Sequence, residues 1–254
     1  MPDGVPNGLR SRLDPTERYS VRVVLFGVAI VLVAIPFATL LFQVLAKGPL
    51  TRLDASVANH LNDTVHRTPG LVGGLRAVSW LGGPPFLALL TVAAAGFVLV
   101  RGRRKLCVFL VVTCLGGSLI DTVVKLVVNR PRPVVDHPVA TAFGKSFPSG
   151  HAMSSTVVYG ALLLVFLPAA GRRRRALVAF VTALVLAVGC SRLLLGVHFV
   201  SDVLGGFVLG LAWLAASVAA FETWRQDRGR PRTDPLTEGV EPEAGPALRG
   251  AAPP

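Results

Sequence analysis

The sequence predicts an all-α fold, a polytopic membrane helix bundle of six transmembrane helices with both termini cytoplasmic, and three observations predict it. Of the 254 residues 52% are apolar and only 16% charged, with a mean hydropathy of +0.60, too little polar surface to coat a water-soluble domain. The apolar residues fall in runs of membrane-spanning length. The basic residues cluster beside those runs, as membrane flanks do, rather than along one binding face. The net charge of +12 is therefore read as topology, and no nucleic-acid partner is expected.

Residues 1–20 are polar, contain Pro and Gly and have no period, which predicts a disordered cytoplasmic tail. Residues 21–225 form the membrane domain. Its first span runs from Val23 to about Ala46, is kinked at Pro36, and is too long for a signal-peptide core. From Lys47 to Pro84 the sequence is mixed; Leu53, Val57 and Leu61 recur at i, i+4 and i+8 and predict a short amphipathic helix on the outer surface. His60 and His66 lack neighbouring ligand residues and read as solvated polar side chains. The remaining spans are Pro85–Val100, Leu106–Val128, His151–Ala170, Ala176–Val197 and Phe199–Phe221. Residues 226–254, rich in Pro, Gly, Glu and Arg, predict a second disordered tail.

Orientation follows from the Lys and Arg count. The two tails and the loops at 101–105 and 172–175 hold about 17 of the 26, against about nine on the other side. Both termini then face the cytoplasm, and three polar stretches fall together on the extracytoplasmic side. Cys107, Cys114 and Cys190 have no metal-like or disulfide spacing and are expected to be free buried thiols.

The first polar stretch is KLVVNRPRP, from Lys125. The prolines stop the helix and lift Arg132 into a loop over the end of the bundle. A lysine point charge and an arginine fork suit the several oxygens of a phosphate. Arg130 reads instead as an interfacial cation, and Asp121, one turn before Lys125, as its neutralising partner. The second stretch is PSGH, with Ser149 as N-cap, Gly150 allowing close approach and free N–H groups forming an anion cradle; His151 in the first turn can protonate a leaving oxygen. The third is SRLLLGVHFVSD, where a buried Arg192 calls for an anionic partner. His198 and Asp202, at i and i+4, have the spacing of a base and its orienting carboxylate.

A His–Asp pair also fits a structural hydrogen bond or half of a metal site, but two-metal phosphate chemistry needs more carboxylates than Asp202 and distant Asp136 offer, and no metal or other cofactor is expected. Serine-hydrolase chemistry, with Ser149 attacking and His198 as base, is disfavoured because Lys125, Arg132 and Arg192 are excessive for a neutral acyl substrate and matched to a phosphate dianion. The glycines Gly116, Gly117, Gly205, Gly206 and Gly210 are expected to allow close helix packing.

Taken together, the three stretches resemble the three-part signature of the type 2 phosphatidic acid phosphatase (PAP2) superfamily: lysine, six residues and Arg-Pro; Pro-Ser-Gly-His; then Ser-Arg, five residues, His, three residues and Asp. Every signature position matches in order, and the resemblance covers residues 80–220 or so. It implies a metal-independent membrane lipid phosphatase in which His198 attacks phosphorus to form a phosphohistidine, Asp202 orients it, and His151 protonates the leaving group and then activates water. Lys125, Arg132, Ser149, Gly150 and Arg192 would hold the phosphoryl oxygens. Substrates implied are undecaprenyl diphosphate, phosphatidic acid or phosphatidylglycerol phosphate, met in a bacterial plasma membrane; the tail composition tilts the choice toward the isoprenoid diphosphate. The superfamily also contains soluble vanadium-dependent haloperoxidases, which six spans argue against. A non-catalytic lipid-phosphate binding or transport protein is the alternative, disfavoured because binding alone needs only the cations.

Overall fold

The computed structural model describes residues 35–136 and 138–250. Every regular element among them is helical: α1 (Ile35–Leu45), then α2 (Pro49–His66), α3 (Gly70–Leu81), α4 (Pro84–Val100), α5 (Arg104–Val128), α6 (Gly150–Ala170), α7 (Arg174–Leu194), α8 (Val200–Gln226), and two short turns, α9 (Pro235–Glu238) and α10 (Gly245–Leu248). Three stretches are long and apolar enough to cross a membrane, Arg104–Val128, Gly150–Leu194 and Val200–Gln226. Helices α3 and α4, bent by 42° at a short break, make a fourth if they act as one span. The Gly150–Leu194 stretch is broken at Gly171, whose φ of +54° suits a residue without Cβ, so α6 and α7 turn back and pack against each other. By length and composition the described residues thus hold three such stretches, or four with α3 and α4 as one span, and one of the three is itself the two helices α6 and α7; the sequence predicts six spans over the whole chain. The predicted N-terminal tail and the start of the predicted first span lie outside the described residues, and α1 alone is a shorter apolar helix.

Helix α6 is the centre of the bundle, packed against α4, α5, α7 and α8. Its sequence is apolar on every side, the pattern of a helix surrounded by others or by lipid. One core cluster joins Val98 of α4, Leu106, Phe109 and Leu110 of α5, Ala161, Leu164 and Val165 of α6, and Leu214 and Phe221 of α8. Outward-facing Leu115, Leu119, Leu126 and Val127 of α5 are exposed, as a lipid-facing stripe is. The helices approach closely where glycine removes a side chain. A Cβ on Gly206 of α8 would lie 2.7 Å from the Ser149 carbonyl oxygen, and one on Gly116 of α5 would lie 2.3 Å from the Trp213 ring. Close approach through these glycines is what the sequence predicts.

Two expectations are corrected and one gains detail. The 47–84 segment forms two helices, of which α2 carries the predicted Leu53–Val57–Leu61 stripe, with Leu53 62% exposed, and turns Asp54, Ala58, Asn62 and Val65 inward. The buried face is polar because it meets buried charge, described below. Of the three free cysteines Cys114 is buried, Cys107 half-buried and Cys190 exposed, since a membrane helix places an apolar-sized thiol on its outer face at little cost. The segment after Gln226 folds back over one end of the bundle instead of trailing free. Val240, Ala244 and Leu248 join the core cluster, and Val240 N donates to Leu164 O at 3.1 Å. This contact lies at the opposite end of α6 from Gly150.

Candidate active site

The end of the bundle around Gly150 gathers the C-terminal ends of α5 and α7, the N-terminal ends of α6 and α8, and the inner face of α2. Helix α5 stops at Asn129, in the left-handed conformation at φ 51°, and the prolines that follow send the chain across the bundle as a loop. That loop carries Arg132, and α6 begins where it ends.

His198 sits just before α8 and is 2% exposed. Its Nε2 lies 3.0 Å from Arg132 Nη1. A guanidinium only donates, so Nε2 accepts and the ring proton rests on Nδ1. Nδ1 in turn faces Asp202 Oδ2 at 3.4 Å, longer than a hydrogen bond, an arrangement that becomes an ion pair when the ring gains charge. Asp202, fully buried, is held from several directions. Oδ1 accepts from Arg130 Nη1 at 2.6 Å; Oδ2 accepts from Phe199 N at 2.9 Å and from the Ser146 hydroxyl. Burial pulls the His198 imidazole down to about 4, Arg132 and Arg192 adding to it against the opposing pull of Asp202. The ring is therefore neutral at physiological pH, with a free-electron-pair nitrogen facing a cation.

The predicted cations and donors stand around it. Arg132 is anchored by donating from Nη1 to Val197 O at 2.9 Å and from Nη2 to Phe143 O at 2.9 Å; burial lowers its pKa, with Asp202 opposing. Lys125 pairs with Asp121, as predicted, and lies over the first turn of α6, where a Cβ on Gly150 would be 2.7 Å from Nζ. Arg192 is 9% exposed and gives Nη1 to the Ser79 hydroxyl. Its Nε is buried without a partner, as is Ser149 Oγ. Ser149 occupies the N-cap position of α6 without a side-chain capping bond, while its N–H donates to Asp202 O at 2.9 Å. His151, half-buried, lies within electrostatic reach of Arg192, His198, Lys125 and Arg132. Eight residues from three separate sequence stretches thus meet at one place. Two buried unpaired donors, three cations and the open N–H groups of a helix start make a cradle for a multiply charged oxyanion. Among the described residues no three His, Cys, Asp or Glu side chains converge as a metal-ligand set.

Five residues to which the motifs assign no role enter the site: Arg130, Asp54, Ser201, Ser146 and Ser79. Arg130 is buried, not interfacial: it bridges Asp202 and Asp54 of α2. Ser201, Ser146 and Ser79 bond to Asp54, Asp202 and Arg192 respectively. A carboxylate on a nominally amphipathic helix gives Asp54 one faint cue, because an unpaired charge at that depth needs a partner.

The PAP2 superfamily model matches residues 105–226, the stretch that holds all three motifs. Phosphatidylglycerophosphatase B of Bacillus subtilis is 35% identical over 155 residues, covering 57% of this chain and 72% of that protein. A decaprenylphosphoryl-5-phosphoribose phosphatase of Mycobacterium tuberculosis is 33% identical over 147 residues, covering 56% of this chain and 76% of that protein. The crystal structure of a transmembrane PAP2-type phosphatidylglycerolphosphate phosphatase from Bacillus subtilis superposes with a TM-score of 0.70 at 26% identity, covering 80% of this chain and 98% of that one.

Proposed function

The chain belongs to the PAP2 superfamily, and from that premise we propose that it is an integral membrane phosphatase that hydrolyses a phosphate monoester or diphosphate of a lipid through a phosphohistidine on His198. The observation that carries this reading is the neutral, buried imidazole with Nε2 turned to Arg132 and Nδ1 to Asp202. Nε2 attacks phosphorus as the bond to the leaving oxygen breaks, and His151 gives that oxygen its proton. Positive charge gathers on the His198 ring, which Asp202 stabilises. Water, deprotonated by the now neutral His151, then attacks the phosphohistidine and releases inorganic phosphate. Lys125, Arg132, Ser149, Gly150 and Arg192 hold the equatorial oxygens, whose charge is greatest in the transition state.

The Lys and Arg distribution supports six spans with both termini cytoplasmic and the site facing outward. Similar proteins are named for phosphatidylglycerophosphate, decaprenylphosphoryl-5-phosphoribose and lipid A 1-phosphate. What these share is a phosphate group on a membrane lipid, and that class is the proposed substrate. The test is phosphate release by the detergent-solubilised protein from phosphatidylglycerol phosphate, phosphatidate and undecaprenyl diphosphate. Turnover of at least one, undiminished by EDTA, is expected, together with an acid-labile phosphoenzyme that disappears in His198→Ala. Full activity of His198→Ala overturns the nucleophile; substrate binding without turnover leaves the non-catalytic binding protein as the reading.

A further inference from the structure

Helix α2 reaches the site through one side chain that lies outside all three motifs and outside the residues matched by the family. Asp54 is 1% exposed. Its Oδ2 accepts from Arg130 Nη2 at 2.9 Å and from the Ser201 hydroxyl, and its Oδ1 accepts from Ser201 N at 3.1 Å. Ser201 is the second residue of α8. The residue before α8, Phe199, has no acceptor in its side chain, so Asp54 provides from another helix the carboxylate that an N-cap residue normally provides.

Arg130 is the shared member of the cluster. One arm goes to Asp54; the other, Nη1, goes to Asp202 Oδ1 at 2.6 Å and to Ser201 Oγ at 2.7 Å, and the guanidinium lies 4.2 Å over the Phe199 ring. Two carboxylates therefore divide one cation. A buried ion cluster of this kind contributes little net stability compared with apolar packing, but it fixes geometry, and each member depends on the others. If Asp54 did not hold its share, Arg130 would be free to form a private, two-armed pair with Asp202. Such a pair draws both oxygens of Asp202 toward the guanidinium and neutralises the carboxylate just where the His198 ring must become positive.

We propose that Asp54 is a positioning residue for the reaction: by holding one arm of Arg130 and the first turn of α8, it keeps the Asp202 carboxylate aimed at His198 and negatively charged. Helix α2 is then part of the catalytic apparatus and not only a surface element. The proposal rests on His198 as the attacking group.

The test uses the full chain in detergent micelles, with phosphatidylglycerol phosphate as substrate and rates normalised to folded protein. In Asp54→Asn, kcat is expected to fall by roughly 10- to 100-fold, the usual loss when an outer partner of a functional side chain is removed. KM should stay within about threefold, because the groups holding the phosphate are untouched. Asp54→Glu should recover part of kcat, and Asp54→Asn combined with Arg130→Gln should be no slower than Arg130→Gln alone, because both changes act through one guanidinium. An unchanged kcat in Asp54→Asn, a loss confined to KM, or full additivity with Arg130→Gln overturns the proposal. So does failure of both Asp54→Asn and Asp54→Glu to fold, which makes the role structural. His198→Ala separates the two levels: if it is inactive while Asp54→Asn is unimpaired, only the positioning role fails, and if it is fully active the underlying mechanism fails.

Discussion

Arg132 Nη1 lies 3.0 Å from His198 Nε2, so a group read as a phosphate clamp touches the nitrogen read as the nucleophile. On the proposed mechanism a phosphoryl oxygen would compete for the same donor, and its arrival would free Nε2 as phosphorus comes within reach. Arg132→Ala is expected to lower kcat/KM by about 10²–10³, the loss typical of deleting one transition-state donor. Arg132→Lys should recover little, because an ammonium cannot bond Val197 O, Phe143 O and a phosphoryl oxygen in one plane. Steady-state phosphate release by the two variants checks this, and near-wild-type activity of the lysine variant argues against a fork-shaped clamp.

The second expectation concerns pH. Burial holds the His198 imidazole near 4 in the fold, whereas a histidine in an unfolded chain titrates near about 6.5. Between those values the unfolded chain binds more protons than the fold, so stability rises with pH. The contribution is complete above about 6.5 and is lost as pH falls toward 4. A thermal midpoint that drops across this window in wild type, and drops less in His198→Ala, is the expected result. In kinetics the free-enzyme limb belonging to His198 should lie near 4; a limb near about 6.5 in its place would show an ordinary, solvated imidazole instead.

The unpaired donors at Ser149 Oγ and Arg192 Nε carry a third expectation. Inorganic phosphate and vanadate should bind without turnover and stabilise the fold, by about 2.7 kcal/mol at a hundred times the dissociation constant. Ser149→Ala and Arg192→Ala should each weaken this shift, read by thermal unfolding against oxyanion concentration. Equal shifts in wild type and both variants would place the anion elsewhere.

How much of this was legible in the sequence differs by residue. The motif residues were legible because each chemical role demands a residue type, and the spacing sets where helices begin: Gly150 opens α6, Asp202 falls in the first turn of α8, and Asn129 with Pro131 ends α5. Arg130 was not, since a cation two residues from another at a membrane border looks the same whether it snorkels or is buried. What decides is a partner 76 positions away, Asp54, and only tertiary packing brings it there. The inward face of α2 was not legible for the same reason: periodicity marks its apolar stripe, while the partner of Asp54 on the other side is a buried guanidinium that only the fold brings there. The tail after Gln226 misled by composition, because Pro, Gly and charge predict disorder only when no apolar groove waits for the few residues, Val240, Ala244 and Leu248, that fill one.

That folded-back tail gives the last expectation. Arg225 is 2% exposed and donates to Glu243 at 2.7 Å, to Glu222 at 3.3 Å and to Thr233 at 3.1 Å. Arg103 of the loop between α4 and α5 lies 3.6 Å from Glu241, and Arg101 donates to Ala247 O at 3.1 Å, so the segment ties together the ends of three helices. Deleting residues after 229 leaves Arg225 buried with one acidic partner and uncovers Leu164 O. Because Glu243 is partly exposed and Glu222 stays, losing this partner costs less than the roughly 3–5 kcal/mol of breaking a fully buried pair, and the lost burial of Val240 and Leu248 adds to it. The truncated protein should therefore unfold at clearly lower temperature, while Glu243→Gln alone gives a smaller drop because Val240, Ala244 and Leu248 stay packed in the core cluster. Below the new midpoint kcat and KM should match the full chain, since the contacts lie at the far end of α6 from His151. Thermal unfolding and phosphate release on the same preparations separate these effects, and a truncation that lowers kcat without lowering the midpoint would mean that the two ends of the bundle are coupled.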